Sequence, residues 1–131
     1  MNQEQLKQFI MSLPEAVEVT PFGATGTVYK VRHKTFATLS QNKDSTDYWL
    51  SVKSDPDKAL KLRKAHEEVV AGLQMNKKHW NSIQLNNKLT EPQLKQLIEE
   101  SFCLVLDGMS NENKAALYSQ LSEQDFAKTK R

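Results

Sequence analysis

Between residues 27 and 53 the chain falls three times into period-two alternation, and this patterning narrows the fold more than any other feature. In the run Thr27 to Lys34, Tyr29 and Val31 share one face while Lys30, Arg32 and Lys34 share the other, a stripe of three cations. His33 and Lys34 are read as the turn into Thr35 to Gln41, whose threonine, phenylalanine and leucine content suits a second strand. After the polar break Asn42 to Asp47, Tyr48, Leu50 and Val52 alternate against Trp49, Ser51 and Lys53. The connections are too short for parallel crossovers, so an antiparallel meander is predicted.

Helical patterns flank this meander. Asn2 is placed to cap a first helix with Gln5 at its third position, and Leu6, Phe9, Ile10 and Leu13 fall on one face before Pro14 ends it. Pro21, Gly23 and Gly26 punctuate the link from Glu15 to Gly26, with room for a short strand around Val17 to Val19. Asp55-Pro56 opens a helix to about His66, whose Lys58, Lys61, Arg63 and Lys64 surround a narrow apolar contact at Ala59, Leu60 and Leu62. Thr90 with Gln93 forms a second capping box, and Leu94, Leu97, Ile98, Phe102 and Val105 trace a core-facing stripe up to Asp107-Gly108. Asn111 to Leu121 reads as one more short helix, and Glu123 to Arg131 as a basic tail expected to fray. The expected organisation is an α+β domain over residues 1–108, an antiparallel sheet with flanking helices, followed by a C-terminal helix and tail over 109–131.

With 131 residues the chain is sized for one domain. Its net charge of +2, from 18 basic and 16 acidic residues, produces no whole-molecule field that would mark a polyanion binder, so such a partner must be argued from local clusters. Cys103 sits in the apolar run Phe102 to Leu106 and reads as a small buried hydrophobe. The N-terminus shows no apolar signal core and no run approaches the ~20 residues of a membrane span, so a cytoplasmic monomer without membrane contact is expected.

Gly72 to Leu85 is the chemically densest stretch, gathering an imidazole, an indole, two amides and two ammonium groups. Gly72 allows a close backbone approach there. His33, His66 and His79 lack neighbours at metal-ligand spacing, so no metal site or cofactor is expected. No nucleophile turn or glycine-rich phosphate loop is present, and the chain is not expected to be an enzyme. In Asn76-Lys77-Lys78-His79-Trp80-Asn81 the lysines can neutralise phosphate, the indole can stack on a base and the amides can read its edge. The same letters also describe a structural tryptophan flanked by surface lysines. Alternation with Ile83 and Leu85 points Trp80 outward, whereas the usual fate of tryptophan in a small domain points inward; the expectation is a buried ring beside exposed Lys77 and Lys78.

The segment Asn76-Lys77-Lys78-His79-Trp80 resembles the hallmark Asn-Lys-x-His-Trp of the MmcQ/YjbR family of small bacterial proteins. Leu13-Pro14, Pro21-Phe22-Gly23, the hairpin around Tyr29 to Leu39, Lys53 with Asp55-Pro56, Leu62-Arg63 and Ser101-Phe102 extend the likeness over about Leu6 to Val105. Asn86-Asn87 stands where many members have Asp-Gly, and Phe102 where tyrosine is usual. The resemblance implies a fold similar to frataxin (CyaY-like) and a double-wing DNA-binding role, and with it the clustering of cations around an aromatic makes Lys30, Arg32, Lys34, Asn76, Lys77, Lys78, His79 and Trp80 the candidate DNA contacts. Iron handling, which the frataxin likeness raises, is disfavoured because only Glu4, Glu15 and Glu18 are acidic before Asp44. The alternative expectation is a protein- or small-ligand-interaction domain without nucleic-acid binding.

Overall fold

Asn2 caps the first helix as its spacing with Gln5 predicts: its Oδ1 accepts from the Gln5 N–H at 2.8 Å, and the Gln5 side chain accepts from the Asn2 N–H at 3.0 Å. This reciprocal cap begins α1 (Gln3–Met11) in a computed structural model that describes residues 2–20, 26–41, 48–72, 76–86 and 88–122. Outside these residues lie the Pro21-Phe22-Gly23 link, the 42–47 break, Met75, the Asn87 turn position and the tail from Glu123. The elements that follow are β1 (Ala16–Val19), β2 (Gly26–Val31), β3 (Lys34–Gln41), β4 (Tyr48–Lys53), α2 (Pro56–Ala65), β5 (Val69–Ala71), β6 (Trp80–Gln84), α3 (Glu91–Asp107) and α4 (Asn111–Ser122).

The six strands form one antiparallel sheet in the order β1-β2-β3-β4-β6-β5, so the chain is an α+β fold built on the expected meander. β6 enters between β4 and β5, which makes the short β5 an edge. Tyr29, Val31, Ala37, Leu39, Leu50, Val52 and Ile83 point from the sheet into one core with Leu6 and Ile10 of α1 and Leu94, Ile98 and Phe102 of α3. A bulge lets Phe36 and Ala37 be buried consecutively: Tyr29 pairs with Ala37 but Lys30 pairs with Thr35, leaving Phe36 as the extra residue. The freed Phe36 ring meets Phe102 edge-on with centroids 5.1 Å apart. Ser101 locks α3 over this point, accepting from the Lys53 N–H at 2.8 Å and donating to the Phe36 carbonyl at 2.6 Å.

α2 starts on the Asp55 cap with Pro56 in its first turn and lies over β5 and β6 through buried Ala59, while Leu60 is exposed and takes no part in the apolar contact expected of it. α3 begins with the Thr90–Gln93 capping box and buries the predicted stripe. α4 is the expected C-terminal helix, and it packs on the sheet-and-helix core. Leu117 and Leu121 enter the same core, and the Tyr118 hydroxyl donates to Asp107 at 2.8 Å. Cys103 is half-buried at the core margin rather than fully enclosed. No helix among the described residues is long and apolar enough to cross a membrane.

Candidate nucleic-acid interface

Strand directions decide which candidate residues meet. β2 ends where β3 begins, β4 runs back to the same end, and β6 starts there again, because Lys53 pairs with Trp80. Lys30, Arg32, Lys34, Lys53 and the Asn76–Trp80 segment therefore collect at one end of the sheet, although 50 residues separate Lys30 from Trp80. From β2 to β6 is three strand spacings, about 14 Å.

The expected stripe of three cations on one face does not form. Arg32 and His33 make a two-residue loop with φ of 45° and 69°, and a face assignment by alternation does not carry through such a turn. Lys30 pairs with Thr35 and Val17 on the side away from the helices, whereas Lys34 pairs with Val31, whose side chain enters the core. Arg32 belongs to neither face. Its Nε and Nη2 donate to the Glu15 carboxylate at 2.9 Å each, and its Nη1 donates to Asn113 Oδ1 of α4 at 2.7 Å. Gln120 of α4 adds a bond to the same carboxylate at 2.6 Å. These partners, led by Arg32, hold the Glu15 carboxyl down to about 2. Arg32 is a latch between the hairpin and α4, with its charge already engaged.

The central motif is a turn held from beneath by α2. Asn76 Oδ1 accepts from the Lys78 N–H at 3.0 Å, and the Asn76 carbonyl accepts from the His79 and Trp80 N–H groups at 3.2 and 2.9 Å. Arg63 donates Nε to Asn81 Oδ1 at 2.6 Å and Nη2 to the carbonyls of Lys77 and Trp80. Asn81 is buried and donates to the Ala59 carbonyl at 3.2 Å. The two amides expected to read a base edge thus shape the turn, and their oxygens are engaged within the protein. Lys77 and Lys78 stand exposed, while His79 and Trp80 are half-buried. Trp80 lies on the side of the sheet away from the described helices, with Lys53 and opposite in parity to buried Asn81 and Ile83, and it is half-buried there.

Gly72 makes the close approach its position suggests. Its N–H donates to the Trp80 carbonyl at 2.8 Å, and a Cβ there would stand 2.7 Å from the Trp80 Cβ.

Ion pairing alone does not single out this end, since Arg32 here is paired and, among the described residues, Lys7, Lys61, Lys64 and Lys88 elsewhere have no carboxylate within ion-pair distance. Arg32, Lys58, Lys95 and Lys114 pair with Glu15, Glu100, Glu91 and Asp107. Among the described residues Lys30, Lys34, Lys53, Lys77 and Lys78 have no carboxylate within ion-pair distance. Strands β2 to β6 carry no aspartate or glutamate at all, and Glu18 of β1 accepts from the Tyr29 hydroxyl at 2.9 Å. Lys53 and Trp49 were absent from the candidates read from the sequence; their alternation with Leu50 and Val52 is the signal that marks them. Elsewhere, His33 sits in the β2–β3 loop and His66 ends α2 with Nδ1 3.4 Å from Glu68, and among the described residues no three His, Cys, Asp or Glu side chains gather as metal ligands. A cleft of about 220 Å³ beside Gln3, Lys7 and Tyr48 is smaller than the roughly 300 Å³ at which ligand pockets begin.

The model of the YjbR family matches residues 11–104. The chain is 32% identical over 111 residues to the Escherichia coli O157:H7 protein YbdF, covering 85% of this chain and 89% of that one. It is 26% identical over 117 residues to YjbR of Escherichia coli strain K12, covering 89% and 98%. Among solved structures it is similar to a Deinococcus radiodurans protein with a DUF419 domain, at a TM-score of 0.78 and 28% identity over 87% of this chain and 86% of that one. A Pseudomonas syringae protein superposes with a TM-score of 0.71 at 25% identity, covering 80% and 99%.

Proposed function

We propose that this chain, which belongs to the YjbR family, is a DNA-binding module that grips phosphate with lysines gathered at one end of its sheet. The observation that carries this reading is the set of five lysines, Lys30, Lys34, Lys53, Lys77 and Lys78, convergent in space and unpaired among the described residues. The β2–β3 loop and the Asn76–His79 turn are the two projecting edges, with Arg63 and Arg32 fixing their shapes. Balanced total charge does not oppose this, because phosphate responds to the local field within a Debye length of about 8 Å at physiological salt. No catalytic step, cofactor or membrane belongs to the proposal, and the module works as a cytoplasmic monomer.

Titration of a labelled DNA duplex at several salt concentrations tests it. Five phosphate contacts give a log–log slope of about −4.5, and Lys77→Ala with Lys78→Ala should make the slope shallower by about 2. Absence of binding at low salt to duplex and single strand alike, or an unchanged slope in the double variant, refutes the reading. A second reading, docking of a protein on the edge strand β1, is favoured by Val17 and Val19, which are 52% and 37% exposed. Partners that persist after nuclease treatment would support that alternative.

A further inference from the structure

The helices with described sheet contacts pack on one face, so the other carries a surface that the phosphate grip alone does not use. Register places Val28 and Lys30 of β2, Thr38 and Ser40 of β3, Trp49, Ser51 and Lys53 of β4, and Trp80, Ser82 and Gln84 of β6 on it. At its centre the Ser51 and Ser82 hydroxyls meet at 2.7 Å across the β4–β6 ladder. Both serines are buried, and none of the described helices has its sheet contacts on their side. Trp49 and Trp80 are themselves half-buried on this face.

We propose that this face is a stacking platform for unpaired nucleobases, with Trp49 and Trp80 as its aromatic surfaces and the lysines at its end holding the phosphates, so that single-stranded nucleic acid is the preferred ligand. The proposal rests on the nucleic-acid reading above and deepens it. Trp49 pairs with Gln84 and Trp80 with Lys53, so the two indoles stand on adjacent strands four residue levels apart, about 13 Å. That spacing suits separate bases of an extended strand, one per ring. Bases within a duplex are already stacked and cannot lie on a sheet face, whereas splayed bases can stack on sheet aromatics regardless of sequence. Charge agrees with this occupant: among the described residues of these strands the face's charged side chains are Lys30 and Lys53, and strands β2 to β6 contain no carboxylate to repel a phosphodiester. The serine floor offers hydroxyls already engaged with each other, which favours contact by shape over base-edge readout.

The test compares a labelled oligothymidylate with a duplex of equal length, using the wild type, Trp49→Ala, Trp49→Phe, and Lys77→Ala with Lys78→Ala. The expected result is tighter binding of the single strand with quenching of indole fluorescence. Trp49→Ala should lose roughly 5- to 150-fold of single-strand affinity while duplex affinity holds, and Trp49→Phe should recover most of the loss. The phenylalanine variant and a thermal melt separate a lost stacking surface from a damaged fold. If folded Trp49→Ala weakens both ligands equally or neither, the platform is wrong while the phosphate grip stands. If neither nucleic acid binds with a salt dependence carried by Lys77 and Lys78, the nucleic-acid reading falls and the platform with it.

Discussion

Gly72→Ala places a methyl group into the tightest backbone contact of the central motif. The new Cβ would stand 2.7 Å from the Trp80 Cβ, 3.0 Å from its carbonyl oxygen and 3.2 Å from its carbonyl carbon. Contact requires the atoms to separate by several tenths of an ångström. Neither side can yield freely: the Gly72 N–H is bonded to that carbonyl at 2.8 Å, and Trp80 is held on its other side by its pairing with Lys53. Overpacking of this kind costs about 1 to 3 kcal/mol. Alanine also restricts the unfolded chain, which returns about 0.4 to 1 kcal/mol, so the net destabilisation should lie between about 0 and 2.6 kcal/mol. Gly108→Ala is the internal control, since its Cβ would find its nearest neighbour at 3.6 Å and its φ is −85°. That change should be neutral or slightly stabilising. Urea unfolding followed by circular dichroism reads both, with equal m-values required for comparison. Gly72→Ala as stable as Gly108→Ala would show that β5 and Trp80 are not packed as described.

Arg63→Ala removes the donor beneath the motif turn and leaves the buried Asn81 oxygen without it, so it should cost about 1 to 3 kcal/mol. In a double-mutant cycle with Asn81→Ala the two changes should couple by about 0.5 kcal/mol or more, and strict additivity would contradict the contact. Leu117→Ala should cost about 2 to 5 kcal/mol because the side chain is fully buried; a urea midpoint that does not move would mean that α4 is not part of the core. The Glu15 carboxyl titrates lower when folded than when unfolded, so its stabilisation is present above the ordinary carboxylate range and lost as pH falls through about 2. Glu15→Gln should therefore be less stable than wild type by at most about 1 kcal/mol at pH 6, with the gap closing by pH 2, and a gap constant in pH would refute the latch.

Local rules determined much of this protein from sequence alone. The Asn2–Gln5 and Thr90–Gln93 capping boxes, the Asp55-Pro56 start, the Leu94 to Val105 stripe and the β2-β3-β4 meander depend on residues within a few positions of one another, and all are present in the fold. The side of the sheet that Trp80 takes was also legible, because parity with Ile83 holds along an uninterrupted strand, whereas its half-buried state was not a matter of parity. Tertiary structure decided the rest through partners far away in the chain. Alternation could not foresee that Arg32 would leave its stripe, since Glu15 and Asn113, 17 and 81 residues away, claim its guanidinium. Nor could it foresee the Phe36 bulge, whose consecutive buried positions reflect the demand of Phe102 on α3 for an edge-on partner. The insertion of β6 between β4 and β5 brings Lys53 beside Trp80 and Trp49 near Ser82. Periodicity states which side of a strand a residue faces, but only the pairing of strands, selected by burial of the whole core, states what stands next to it.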